Sequence, residues 1–324
     1  MRASLPVIDL SLSHGRDADD LQAVARQIDA ACRTHGFFYV IGHGVPLALI
    51  SHLFMLNRRY FALPGEVKAA SHIDRSGGLR RGYDPIGWQS LEAGRPADLK
   101  ESFYLGTERG PDDPLVRAGT PNHGPNQWPD EALVPGFRPA CEAYAAAMER
   151  LGRHLMGLIA LGLGLPQAWF EPFLRDPMPI LRLLHYPPQQ ASRLDAQIGS
   201  GAHTDWGAIT LLAQDDAGGL QVRDEAGGGW LDARPIEGSL IVNLGDLMQR
   251  WTNDLYRSTL HRVVNQHSGH DRHSIAYFLE IDYHAVVEAL PTCCSAERPA
   301  RHPPITAGEH IVEMYRRTTL GPAA

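Results

Sequence analysis

The 324-residue sequence has few cysteines, no long uncharged apolar run and no cluster of basic residues. Its four cysteines, Cys32, Cys141, Cys293 and Cys294, form no CxxC pair and no disulfide-framework spacing, so we expect free thiols. No segment holds about 18 uncharged apolar residues in succession, and the N-terminus lacks the apolar region of a signal peptide. These absences exclude a disulfide scaffold and predict a cytoplasmic protein without a membrane partner.

The charge composition argues against nucleic acid as a partner. Lysine and arginine number 30 against 37 aspartate and glutamate residues, and the formal net charge is −7. Binding to nucleic acid normally requires clustered positive charge, which this sequence does not have. With 44% hydrophobic residues the chain can bury a large core, and we expect a small-molecule substrate. The oligomeric state stays unknown from the sequence.

Several regular elements are predicted near the N-terminus. The stretch "LPVIDLSL" indicates a short strand, and a helix that starts at "DADD" is expected to end at Gly36. The aromatic and β-branched run "FFYVIGHGVP" predicts a second strand with a turn, followed by a helix over about residues 46–62. His43 is expected to hold that turn, because neither a carboxylate nor a second histidine accompanies it.

The segment 64–137 is rich in glycine and proline and has little periodicity, which predicts an irregular wall beside a binding site. Aromatic side chains suggest an apolar pocket, although such residues are more often part of a core. The candidates for that pocket are Tyr83, Trp88, Phe103 and Trp206.

The remaining sequence changes from a helical pattern to a pattern of short β-strands. Helical periodicity begins near Pro139, and from about residue 180 short β runs alternate with turn residues, which favours a sandwich or barrel. We therefore predict a mainly β chain with flanking helices. A single domain over residues 1–324 is expected, with an N-terminal helical and irregular region (1–137) packed on a long helix and β core (138–324).

The fragment "GAHTDWGAITLLAQ" holds two potential metal ligands, His203 and Asp205. On a strand these two residues would share a face, and His261, which opens a later β-branched run, is the strongest third candidate. Two histidines and one carboxylate form the facial triad that binds Fe(II) and leaves positions open for substrate and dioxygen. The spacing by itself is equally typical of a turn histidine and a capping aspartate.

A rival histidine cluster lies in "NQHSGHDRHS", where His267, His270 and His273 are three residues apart. Three histidines could bind zinc if the segment were ordered. Serine, glycine and aspartate dominate the segment, and we expect a solvated hairpin loop.

The end of the same stretch contains Arg272 and Ser274, which share one face of a predicted strand. A planar guanidinium and a hydroxyl so placed can hold one carboxylate together. The alternative is an arginine whose head lies in solvent at the entrance of the strand.

The ordered combination of motifs resembles the isopenicillin N synthase-like branch of the iron(II)- and 2-oxoglutarate-dependent oxygenases. The resemblance runs nearly end to end through "PVIDL", "GFFYVIGHGVP", "KESF", "LRLLHYPP", "GAHTDWGAITLLAQDDAGGLQV", "GDLMQRWTND", "STLHRVVN" and "RHSIAYF". It implies a double-stranded β-helix, or jelly-roll, core. It also implies that His203, Asp205 and His261 bind Fe(II).

The same resemblance implies that Arg272 and Ser274 hold the distal carboxylate of 2-oxoglutarate, with Tyr186 near this co-substrate. In one respect the chain departs from plant members, which commonly carry "NYYPP" where this chain has Leu184 followed by His185. Polar contacts made there in plant enzymes are therefore absent, which concerns the substrate more than the metal.

The implied reaction consumes 2-oxoglutarate and O2, forms succinate and CO2, and oxidises an unactivated C–H bond of a small molecule, by hydroxylation as the default outcome. Three alternatives stay open at this point. They are a co-substrate-independent iron oxidase of the same fold, a bacterial-type ethylene-forming enzyme and a non-catalytic β-barrel binding protein. The sequence does not identify the prime substrate.

Overall fold

The computed structural model describes residues 4–15, 17–92, 94, 96–188, 198–225, 227–265 and 269–318. The strands in chain order are β1 (Val7–Asp9), β2 (Phe37–Ile41), β3 (Gly82–Asp84), β4 (Glu101–Gly106), β5 (Ile180–Tyr186), β6 (Ser200–His203), β7 (Ile209–Gln214), β8 (Leu220–Asp224), β9 (Gly229–Asp232), β10 (Leu240–Leu244), β11 (His261–Val263), β12 (Arg272–Leu279), β13 (Val286–Val287) and β14 (Ile305–Thr306). The α-helices are α1 (Ala18–Thr34), α2 (Leu47–Phe61), α3 (Gly65–Ala69), α4 (Pro114–Arg117), α5 (Phe137–Gly162), α6 (Asp246–Trp251) and α7 (Ala307–Thr318).

Two antiparallel sheets form the core. The larger sheet has the strand order β1-β2-β10-β7-β12-β5-β4-β3, in which the β1–β2 pair is parallel, and the smaller sheet has the order β6-β11-β8-β9. Apolar side chains from both sheets, including Tyr39, Leu184, Val222 and Val263, pack in one cluster between them. The prediction of a mainly β chain with a double-stranded β-helix core is confirmed.

The predicted helices pack on the outer face of the larger sheet. The long helix α5 contacts α1, α2, β7 and β12. Helix α1 starts at Asp17, whose carboxylate accepts hydrogen bonds from the backbone amides of Asp19 and Asp20. After this helix, Gly36 has φ +63° and lies so close to the carbonyl of Arg257 that a Cβ atom would be 2.1 Å from its oxygen. The turn into β2 therefore requires glycine.

Two parts of the chain differ from expectation. The segment 64–137 is not only irregular, because β3 and β4 lie within it and extend the larger sheet beside β5. The C-terminal helix α7 was not predicted, and it packs through Ala307 and Ile311. Strands β3 and β4 are short, so tertiary contacts rather than periodicity decide them.

The turn at His43 is as expected: its Nδ1 accepts from the Val45 amide at 3.1 Å, and its Nε2 lies 3.2 Å from the Gly238 carbonyl oxygen. All four cysteines are free thiols, as predicted. Within the part of the chain that the structure describes, we find no helix that combines the length and the apolar character needed to cross a membrane.

Candidate active site

Three predicted metal ligands converge at one end of the smaller sheet. Strand β6 ends at His203, β11 begins at His261, and the two residues are direct partners across the antiparallel pair. Asp205 follows β6, and its Oδ1 lies 3.7 Å from Nε2 of His261 and 4.0 Å from Nε2 of His203. Among the described residues, these three form the one group of histidine, cysteine and acidic side chains close enough to share a metal ion.

Backbone carbonyls orient both imidazole rings. Nδ1 of His203 lies 2.7 Å from the Gly201 oxygen, and Nδ1 of His261 lies 3.1 Å from the Thr259 oxygen. A hydrogen bond to a carbonyl requires the proton on Nδ1, which leaves the lone pair of Nε2 available. Both Nε2 atoms thus face the Asp205 carboxylate and are available, together with it, as ligands for a metal ion.

The carboxylate of Asp205 is held by two residues that the sequence analysis missed. Its Oδ2 accepts hydrogen bonds from Thr210 Oγ1 at 2.6 Å and Asn243 Nδ2 at 2.7 Å. Oδ1 is the atom that faces the two imidazoles. Thr210 stands in the fragment that carries His203 and Asp205, whereas Asn243 comes from β10, and no sequence signal connects it to the site.

Burial and charge keep His203 and Asp205 in the protonation states that bind a metal. Burial lowers the pKa of His203 to about 3, and the neighbouring His261 lowers it as well. Burial raises the pKa of Asp205, but both histidines and the hydrogen bonds from Asn243 and Thr210 outweigh this, and the net shift is downward. A neutral His203 beside an ionised Asp205 fits the donor set of the Fe(II) facial triad.

On the facing sheet, β12 presents Arg272 and Ser274 to the same space. The Arg272 guanidinium is buried, donates from Nε to the Gly218 oxygen at 2.6 Å and from Nη1 to Ser274 Oγ at 3.2 Å. It lies over the Tyr186 ring, 4.7 Å from the ring centroid. Its Nη2 atom has no hydrogen-bond partner. A carboxylate would satisfy this donor, so the residues fit the co-substrate that the resemblance implies.

The cavity between the two sheets contains both groups of residues. Apolar side chains from both sheets line much of it: Phe37, Leu212, Leu220, Val263 and Phe278. Besides Thr210 and Asn243, three further polar lining residues were missed by the sequence analysis: Lys100, Arg182 and Ser200. They come from strands β5 and β6 and from the residue before β4, and their polar types alone did not distinguish them from surface residues.

The four aromatic pocket candidates do not line this cavity. Phe103 is fully buried in the core, Tyr83 donates a hydrogen bond to Glu101, and Trp206 packs against the core from one side. Trp88 is 52% exposed beside His72. These aromatics do not form the pocket, because Tyr83 and Phe103, direct partners across the β3–β4 pair, both pack in the apolar core shared with the helices.

The rival histidine cluster is divided by the fold. His267 lies outside the described residues, and His270 is exposed. His273 is buried within β12 rather than in a solvated loop, and its ring stacks on His185 at 4.8 Å. The solvated-loop interpretation is therefore wrong for His273, which strand alternation turns away from the cavity.

Two family descriptions match consecutive parts of the chain. Residues 5–131 match the N-terminal region of the non-haem dioxygenases described for morphine synthesis, and residues 177–281 match the 2OG-Fe(II) oxygenase superfamily. A 2-oxoglutarate-Fe(II) type oxidoreductase of Emericella nidulans is 39% identical over 97% of this chain and 90% of its own. A 2-oxoglutarate-dependent dioxygenase of Monascus ruber is 41% identical over 97% of this chain and 95% of its own.

Solved structures are similar over nearly the whole chain. A full-length Neurospora crassa protein, crystallised in complex with alpha-KG, is 32% identical with a TM-score of 0.86, over 97% of this chain and 96% of that one. A putative 2OG-Fe(II) oxygenase family protein of Caulobacter crescentus is 32% identical with a TM-score of 0.84, over 97% and 99%.

Proposed function

Since the chain belongs to the 2OG-Fe(II) oxygenase superfamily and is a non-haem Fe(II)- and 2-oxoglutarate-dependent dioxygenase, we propose that it hydroxylates an unactivated C–H bond of a small molecule. In the balanced reaction, substrate, 2-oxoglutarate and O2 give hydroxylated product, succinate and CO2. Bound Fe(II), together with 2-oxoglutarate and O2, supplies the oxidising power. The residues of this chain bind and orient the reactants.

We assign Fe(II) to His203, Asp205 and His261. The observation that carries this assignment is their convergence across the β6–β11 pair, with both Nε2 atoms and one carboxylate oxygen turned to a common space. Asp205 contributes the one anionic ligand. Thr210 and Asn243 occupy its second oxygen, which favours binding of the metal through Oδ1 alone.

Arg272 and Ser274 are proposed to hold the distal carboxylate of 2-oxoglutarate. The unpaired Nη2 of a buried guanidinium supports this role, because an unmet buried donor is costly and a carboxylate satisfies it with a charge-assisted hydrogen bond. The Tyr186 ring packs against the face of the Arg272 guanidinium and fixes its orientation. The apolar part of the cavity lining is expected to limit the water around the bound reactants.

The proposed prime substrate is a small organic molecule. Two solved structures share at least a quarter of their residues with this chain and contain a small molecule. One is the same Neurospora crassa protein in complex with thymine, and the other is JOX2 in complex with JA. These complexes are those of the named proteins, and they support small molecules as the class of substrate for this chain. The isopenicillin N synthase-like branch, a cytoplasmic location and a single domain over residues 1–324 stay predictions from the sequence.

Iron content and succinate formation test the proposed function together. The protein, reconstituted anaerobically, is expected to bind one Fe(II) per chain and, once oxygen is admitted, to convert 2-oxoglutarate to succinate. Asp205→Ala should weaken Fe(II) binding by about a hundredfold or more, because it removes the anionic ligand. His270→Gln, a change at an exposed histidine, is the matched control and should bind iron like the wild type.

The same experiment separates the alternatives. Wild-type iron content in Asp205→Ala would contradict the assignment of the metal site. Iron binding without succinate, even after long incubation, would instead identify a co-substrate-independent oxidase. One relative, a 1-aminocyclopropane-1-carboxylate oxidase of Dictyostelium discoideum, is 32% identical over 89% of this chain, so that outcome deserves a direct measurement.

A further inference from the structure

Two basic side chains of the cavity are not used by the metal or co-substrate assignments. They are Lys100 and Arg182, and both line the space between the sheets. In the β5–β12 pair, Tyr186 is opposite Arg272, whereas Arg182 is opposite Ala276. Arg182 and Tyr186 are four residues apart on one face of β5, which corresponds to about 13 Å along the strand. The Arg182 region is thus a separate end of the cavity.

The Arg182 guanidinium is buried and incompletely paired. Its Nη2 donates to Ser102 Oγ at 2.8 Å and to Gln89 Oε1 at 3.1 Å, and the group lies 4.4 Å from the centre of the Tyr104 ring. The nearest carboxylate oxygen of Asp84 is 3.7 Å from the same Nη2. Nε has no hydrogen-bond partner. The surrounding residues therefore fix the plane of the guanidinium but leave one buried donor open.

Lys100 supplies a second cation that lines the same cavity. Its Nζ is bonded to Asp98 and donates to Ser200 Oγ at 3.2 Å, and the side chain is buried. Ser200 belongs to β6, the strand that ends at His203. Through Ser200, Lys100 is linked to the strand that carries a metal ligand.

We propose that Arg182 and Lys100 bind the prime substrate of this oxygenase through a carboxylate on that substrate. This inference rests on the proposed function, since it assumes that 2-oxoglutarate occupies the Arg272 end. A co-substrate held there leaves Nε of Arg182 unpaired, and the open donor then needs an acceptor from a second molecule. A planar carboxylate matches the guanidinium.

The acidic partners of the two cations set the charge of the ligand. Asp98 and Asp84 already offset much of the positive charge of Lys100 and Arg182. A multiply charged phosphate would meet these acids without a matching excess of cations. Of the anionic groups, a carboxylate adds the least negative charge to this balance, and the open Nε of Arg182 can donate to it.

The test measures binding of acids and of their uncharged counterparts to the anaerobic protein loaded with Fe(II) and 2-oxoglutarate. The probes are phenylacetate, indole-3-acetate, benzoate and cyclohexanecarboxylate, each paired with its primary amide, and saturation-transfer NMR and calorimetry report binding. At least one acid is expected to bind about tenfold or more tightly than its amide. Arg182→Gln should reduce that preference to about threefold or less, because the charge-assisted hydrogen bond is lost.

Controls separate this site from the co-substrate site and from a folding defect. Arg262→Gln replaces an arginine outside the cavity, which contacts Trp230 and Gln221, and should keep the acid preference. If Arg182→Gln does not fold, Lys100→Gln serves as the second variant and should weaken the preferred acid. Arg182→Gln should still show the visible charge-transfer band of bound 2-oxoglutarate.

The outcomes are distinct. No preference for any acid over its amide in the wild type, or a preference that Arg182→Gln and Lys100→Gln both retain, overturns the carboxylate proposal. Neither result affects the proposed function if 2-oxoglutarate binds and succinate forms. Absence of 2-oxoglutarate binding in the wild type contradicts the proposed function itself, whatever the acids do.

Discussion

Two sets of buried charged residues, on opposite faces of the paired strands β5 and β12, differ in how completely they are hydrogen-bonded. The inward face presents Arg272 and Arg182 to the cavity, and each guanidinium has a nitrogen without a partner. The outward face carries His185, which lies between two carboxylates. Because side chains alternate along a strand, one short segment builds both environments.

The outward cluster satisfies its central carboxylate completely. Glu101 Oε1 lies 2.7 Å from Nδ1 of His185, and Oε2 accepts from Lys68 Nζ at 2.7 Å and Tyr83 OH at 2.6 Å. Nε2 of His185 lies 2.8 Å from Asp271 Oδ1. A buried network with complete partners fixes the structure, whereas open donors in the inward face are available to ligands. The contrast separates stabilising from binding residues in one sheet.

The largest effect on ligand binding is expected when the Arg272 guanidinium on the inward face is removed. Arg272→Ala should weaken 2-oxoglutarate binding by roughly ten- to several-thousandfold, because about 1.5 to 5 kcal/mol is lost when a buried charged partner is stripped away. Anaerobic titration of the Fe(II) protein, followed through the charge-transfer band, measures this. Affinity within about twofold of the wild type would remove Arg272 from the co-substrate site.

Substitutions on the outward face should change the free energy of unfolding rather than the binding of 2-oxoglutarate. Glu101→Gln leaves Lys68 buried without its anion, and we expect a loss of about 3 kcal/mol in the free energy of unfolding. Glu142→Gln is the matched control, since Glu142 pairs with Arg138 on the surface and should cost about 0.5 kcal/mol or less. Urea unfolding gives both values, and equal costs for the two variants would refute the distinction between the clusters.

Ser274→Ala tests how much the neutral hydroxyl on the inward face contributes beside the Arg272 guanidinium. The hydroxyl accepts from Arg272 at 3.2 Å and is neutral, so its removal should weaken 2-oxoglutarate binding by only about two- to tenfold. The same titration as for Arg272→Ala applies. A loss larger than that of Arg272→Ala would mean that the hydroxyl, rather than the guanidinium, dominates recognition of the carboxylate.

The smallest effect concerns the stacked pair of histidines. Burial lowers the pKa of His185, but the bonds to Glu101 and Asp271 outweigh this and the net shift is upward. Its contribution to stability is therefore complete below the unfolded pKa of about 6.5 and is lost as pH rises through the folded pKa. The difference in unfolding free energy between the wild type and His185→Gln should be larger at about pH 5.5 than at about pH 8.

Its neighbour titrates in the opposite sense. Burial lowers the pKa of His273 to about 4, helped by the positive charges of His185, Arg58 and Arg272 and opposed by Asp271. The stability associated with neutral His273 is present above about pH 6.5 and is lost as pH falls toward 4. Comparison of His273→Gln with the wild type by unfolding at several pH values tests this. Parallel pH dependence in the two histidine variants would argue against opposite protonation states.

The local elements of the fold were predictable where the pattern was long or the capping chemistry explicit. Helix α5 has a sustained apolar period, and α1 starts at an aspartate cap and ends before Gly36. Strand β4 was not predicted, because a six-residue run inside a glycine- and proline-rich segment becomes a strand only through its pairing with β5.

The sequence by itself, through the spacing of its motifs and their resemblance to known oxygenases, singled out His203, Asp205, His261, Arg272 and Ser274 as the candidate site residues. It also determined the β-rich character of the C-terminal half. Only the tertiary structure decided that β6 and β11 are neighbours, and therefore that His203 faces His261. Likewise, only it brought Asn243 to Asp205 and placed Arg182 and Lys100 in one cavity. These contacts join residues distant along the chain, and the pairing of strands within each sheet together with the packing of the two sheets, rather than any local pattern, fixes such distances.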